Sequence, residues 1–106
     1  MENKPNYYAI IPAEVRYDKR LKANAKLLYG DILSIININR ECFLTNAELA
    51  EGLNVSKSTI SKWLDSLRKY CYIEIEMLLE NKQIIGRKIT VKDIGAVIWE
   101  RHQLFQ

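Results

Sequence analysis

Between residues 23 and 38 the chain reads ANAKLLYGDILSIINI, and Leu27, Leu28, Ile32, Ile35 and Ile36 recur at spacings of three and four. That period predicts an amphipathic helix. Gly30 inside it costs about 1 kcal/mol relative to Ala and points to close packing against another element. Ahead of it, YYAII at 7–11 is aromatic and β-branched and ends at Pro12, the pattern of a short strand or extended arm. Residues 13–20 accommodate one or two helical turns.

From residue 45 the periodicity stays helical but breaks into two pieces. Thr45 followed by Glu48 forms a capping box, which starts a short helix near Asn46 that ends near Gly52. Ser56 is a good cap for the next helix. Its apolar face is Ile60, Trp63, Leu64, Leu67 and Cys71. After Tyr70 the period drops to two: Tyr72, Glu74 and Glu76 alternate with Ile73, Ile75 and Met77. This predicts a strand with one solvated face. The NK pair at 81–82 is a turn signal, and QIIGRKITV returns as a second strand. In DIGAVIWERHQLFQ at 93–106, Ile94, Val97, Ile98, Leu104 and Phe105 fall at helical intervals, so a further C-terminal helix is expected.

The order is helix, short helix, longer helix, hairpin. Ala50 supplies a small residue where two helices cross, and Asn54, four positions on, tolerates the positive φ that a tight turn needs. Leu49, Leu53, Val55, Ile60 and Trp63 lock the pair. The offsets fit a helix-turn-helix, and the fold class expected is α+β, mainly α: a three-helix core with a β-hairpin wing. Residues 1–92 form this domain, and 93–106 form a helical extension whose apolar stripe either docks on the chain's own core or pairs with a second copy in a homodimer.

The chemistry of the second helix then decides the functional reading. Its outward face is Lys57, Ser58, Ser61 and Lys62, with Thr59 at the edge. A helix N-terminus favours phosphate through its free N–H groups and dipole, and short polar side chains reach base edges in the major groove of DNA. Between Lys82 and Lys92 lie Lys82, Arg87, Lys88 and Lys92 with no acid. Lys82, Arg87 and Lys88 are accordingly expected to meet the DNA backbone from the wing.

Composition narrows the alternatives. The 106 residues carry a formal net charge of only +3, so the distribution of charge matters more than its sum. Cys42 and Cys71 are too few and too far apart for a disulfide framework or a zinc site, and both are expected as small buried thiols. No apolar run approaches the roughly 20 residues that span a bilayer, and MENKPNYYAIIP lacks a signal-peptide pattern. A cytoplasmic protein with no membrane association is expected. His102 is the only histidine and has no evident partner, Glu74 and Glu76 lack a pocket, and no Gly-rich phosphate loop is present. Neither catalysis nor a cofactor is expected. Most tyrosines lie in or beside core patterns, which favours packing over base stacking. A rival from another class is a winged helix used to bind protein, since function resides in the surface and not the fold.

The stretches YYAIIPAEVRYDKRLKANAKLLYGDI at 7–32, TNAELAEGLNVSKSTISKWLDSLRKYCYI at 45–73 and GRKITV at 86–91 resemble the N-terminal winged-helix domain of phage and plasmid replication initiators of Gram-positive bacteria, the DnaD-like and RepA-type group. The resemblance covers the chain to about residue 92. It implies binding at a replication origin and recruitment of replication proteins. Replication initiation in a mobile element is therefore the leading expectation, with a small transcriptional repressor as its alternative.

Overall fold

The computed structural model describes residues 9–39 and 41–92. Four helices and one hairpin follow in the expected order: α1 Ala13–Arg16, α2 Ala23–Asn39, α3 Asn46–Leu53, α4 Lys57–Lys69, β1 Ile73–Glu80 and β2 Gln83–Val91. This is a winged helix-turn-helix, mostly helical. The expected C-terminal helix, the extension at 93–106 and Tyr7 and Tyr8 lie outside the described residues.

The core gathers one stripe from each helix and the stem of the hairpin. Leu28, Tyr29 and Ile32 of α2, Ile60, Leu64 and Leu67 of α4, and Ile73 and Ile89 of the hairpin are essentially sealed from solvent. Residues 9–12 cross α2 at Gly30. A Cβ built there would lie 3.0 Å from Cγ1 of Ile11, which is the close packing that an internal glycine implies. The α1 helix is a single turn, opened by Pro12, whose carbonyl accepts from Val15 and Arg16 N–H.

Both helices of the turn unit end by the same device. Asn54 adopts φ 55°, ψ 50°, its N–H bonds to the Glu51 carbonyl, and the Val55 N–H reaches back to Ala50. At the end of α4, Cys71 has φ 66°, its N–H bonds to the Arg68 carbonyl, and the Tyr72 N–H reaches back to Leu67. These paired bonds satisfy carbonyls that a helix end otherwise leaves open. Cys42 is buried as expected, but Cys71 is exposed. The left-handed residue steps off the helical path, so the spacing that placed Cys71 on the apolar face of α4 does not extend to it.

β1 and β2 pair antiparallel, with Ile73 opposite Val91 and Ile75 opposite Ile89. Asn81 and Lys82 both have positive φ, 52° and 66°, the backbone that matches a two-residue turn to the twist of its strands. The register shifts between Leu78 and Leu79. A backbone bond from Ile89 N–H to the Cys42 carbonyl, 2.8 Å, attaches the inner strand to the segment leading into α3. Met77, which alternation assigns to the buried side of β1, is instead about half exposed, and Leu79, Ile84 and Ile85 are about two-thirds exposed. The helical body ends beneath the stem and leaves the tip unsupported.

Candidate nucleic-acid interface

The outward surface of α4 is one continuous polar stripe. At 100° per residue, Lys57, Ser58, Ser61, Lys62, Asp65, Arg68 and Lys69 fall within an arc of about 140°, and all seven are exposed. The opposite arc carries Ile60, Leu64 and Leu67, which hold the helix against α2 and α3. Burial of that stripe determines which residues the helix presents. Over the first two turns, no described segment covers the polar stripe.

The N-terminus of α4 is capped from its own sequence. Ser56 Oγ accepts from the Thr59 N–H at 3.2 Å and lies 3.1 Å from Ser58 Oγ and 2.8 Å from Thr59 Oγ1. Thr59 is half-buried and its hydroxyl belongs to this cap cluster. Ser58 shares the cluster but stays exposed, whereas Lys57, Ser61 and Lys62 project outward. α3 carries the expected capping box, with Glu48 N–H donating to Thr45 Oγ1 at 3.2 Å and Thr45 N–H to Glu48 Oε1 at 3.1 Å.

The wing distributes its cations differently from the sequence expectation. Lys82 sits exposed in the turn at the tip. Lys88 Nζ lies 3.6 Å from Glu76 on the adjacent strand, and Lys92 pairs with Glu74. Arg87 points inward: its Nη2 and Nε donate to the Leu44 carbonyl at 3.1 and 3.3 Å. Burial draws its pKa down from the ordinary arginine value. The structure thus brings Lys57, Ser58, Ser61 and Lys62 onto one free face and places Arg87 and Lys88 in contacts within the domain. An open groove between α4 and the wing, lined by Arg68, Glu74, Ile75, Glu76, Lys88 and Thr90, mixes both signs of charge.

Tyr70 and Tyr72, at the passage from α4 to the wing, tie this surface to partners in the N-terminal segment that sequence does not single out. The single proton of the Tyr72 hydroxyl is shared between Asp18 Oδ2 at 2.7 Å and the Glu14 carbonyl at 3.0 Å. The Asp18 carboxylate also accepts from the backbone N–H, Nε and Nη2 of Arg20. The Arg20 guanidinium lies 4.2 Å from the centre of the Tyr70 ring. These hydrogen bonds hold the Asp18 carboxyl well below the usual carboxylate range. Tyr72 also meets Tyr29 edge to face, 6.0 Å between centroids, and burial pushes Tyr29 up to about 12. The hinge between α4 and the wing is held by residues far apart in the chain, Tyr72 and Asp18 being 54 positions apart, for which local sequence carries no signal.

Among the described residues no helix is long and apolar enough to cross a membrane, and no three His, Cys, Asp or Glu side chains gather as a metal site would require.

Similar solved structures agree on the fold. The adhesin competence repressor AdcR of Streptococcus pyogenes is 19% identical, with a TM-score of 0.51 over 88% of this chain. FabT of Streptococcus pneumoniae, solved in complex with DNA, is 17% identical with a TM-score of 0.52 over 89%. ZitR of Lactococcus lactis is 17% identical with a TM-score of 0.52 over 97%. Aligned in this way, the chain spans 61% of AdcR and 62% of FabT and of ZitR. No curated protein sequence matches it significantly. Residues 19–73, from the approach to α2 through α4 to the first residue of the wing, match the family described as Helix-turn-helix domain (HTH_36), and the chain belongs to that family.

Proposed function

We propose that the chain is a sequence-specific double-stranded DNA-binding domain of a transcriptional regulator. The observation that carries this reading is the uncovered face of α4, where Lys57, Ser58, Ser61 and Lys62 stand exposed at a capped helix N-terminus. In this reading α4 enters the major groove, Lys57 and Lys62 meet phosphate or guanine edges, and the serine hydroxyls bond to base edges. Lys82 reaches the backbone from the wing tip.

Regulation takes precedence over the replication role implied by the resemblance. The solved structures with this fold include a named repressor and a protein bound to DNA, and no initiator is among them. Pairing of two copies through residues 93–106 would set two α4 helices on half-sites about 34 Å apart, one turn of DNA.

The test is retention of fragments from the chain's own genomic neighbourhood at two salt concentrations. Selective retention of a promoter fragment supports a regulator, and selective retention of a replication origin restores the initiator. Weak, uniform retention points to the protein-binding alternative.

A further inference from the structure

We infer that Arg87 is the positioning residue of the wing, acting as the fulcrum that sets the angle of its tip relative to α4. The inference rests on the DNA-binding reading for its consequence but on geometry for its basis. Arg87 and Ile89 lie two residues apart on β2 and so share a face. Ile89 is sealed in the core, and Arg87 follows it toward the body, where two N–H groups converge on the one carbonyl of Leu44. Leu44 immediately precedes Thr45, the cap of α3. The bond therefore joins the hairpin to the start of the helix-turn-helix across 43 positions of sequence.

Its place along the hairpin gives it leverage. Arg87 pairs with Met77. On the stem side lie Ile73 and Ile89, at most 1% exposed; on the tip side lie Leu79, Ile84 and Ile85, 62 to 67% exposed. Among the described residues, no hydrogen bond to the helical body lies nearer the tip. From Arg87 to Lys82 is five residues, at strand rise about 17 Å. A rotation of about 10° at the fulcrum moves the tip by about 3 Å, the length of one hydrogen bond. The planar guanidinium resists such rotation because its two donors share one acceptor in fixed geometry.

The role is separable from a phosphate contact. Removing a side chain that neutralises a phosphate flattens the dependence of log K on log salt by about one. Removing a positioning residue weakens binding without changing that slope. The experiment compares the full chain with Arg87→Ala, and with Arg87→Gln in place of Arg87→Ala where the alanine variant does not fold. Binding to double-stranded DNA from the chain's own genomic neighbourhood is measured at several salt concentrations and expressed per folded molecule. Spin labels at Asp65→Cys and Lys82→Cys, in a Cys71→Ser background, report the distance from α4 to the wing tip without DNA. The expected result is a broadened distance distribution and binding about tenfold weaker, with the salt slope unchanged. An unchanged distribution, an unchanged affinity, or a slope reduced by about one each overturns the assignment. If the native chain retains no DNA, the DNA-binding reading fails, and the label distances still decide whether Arg87 positions the wing.

Discussion

The α3–α4 unit and the hairpin contain similar residue types, basic and hydroxylated side chains interleaved with aliphatics, but they distribute them in opposite ways. On α4 the aliphatics face inward and the cations stand exposed along one stripe. On the wing, Arg87 of β2 turns to Leu44 and Lys88 to Glu76, while the aliphatics Leu79, Ile84 and Ile85 face solvent. The difference lies in what surrounds each element. α4 is packed along its whole length, so its period assigns each residue to a face. The hairpin is backed only at its stem, so its alternation names two faces but not where burial stops.

That contrast is first tested by truncating one leucine in each region. Leu64, 2% exposed, joins α4 to the core, and Leu64→Ala is expected to cost about 2–5 kcal/mol in chemical denaturation. Leu79, 64% exposed at the tip, is expected to lose less than about 0.5 kcal/mol on the same substitution. Equal losses would mean that the tip packs against something the contrast leaves out.

A smaller effect is expected at the two left-handed helix ends. Asn54→Val places a β-branched residue at φ 55° and should cost about 1–2 kcal/mol. Cys71→Gly relieves the same strain at φ 66° and should add up to about 1 kcal/mol. Thermal melting of both variants checks the opposite signs.

The same contrast explains what was legible in the sequence. The Thr45–Glu48 box, the Ser56 cap, the Asn54 turn and the Asn81–Lys82 reversal each depend on residues within a few positions, and each appears where expected. Gly30 was readable as a close approach, although its partner Ile11 was not. The destinations of Arg87 and Tyr72 depend on groups 43 and 54 positions distant. A count of lysines and arginines on β2 therefore does not show which of them turn inward, as Arg87 does. Cys71 leaves the apolar face of α4 for a related reason: it lies two residues past Lys69, where helical spacing no longer holds.

The smallest stability effect concerns the junction of the two regions. Asp18 has a folded pKa below its ordinary value near 4, so its stabilisation is present above pH 4 and is lost as pH falls through the folded value. Acid unfolding of the native chain should steepen below about pH 4. Asp18→Asn should be less stable at neutral pH and show a shallower acid limb. Parallel acid limbs in the two proteins would show that the Tyr72–Asp18–Arg20 cluster does not hold the hinge.

The central claim, that α4 and not the basic strand of the wing carries DNA binding, is tested most directly by one paired titration. Lys57→Ala/Lys62→Ala and Lys88→Ala are compared with the native chain against the same duplex over a range of salt. The expected result is a loss of about tenfold or more in the double variant, with a shallower salt dependence, and little change for Lys88→Ala. Undiminished binding by the double variant would contradict the account.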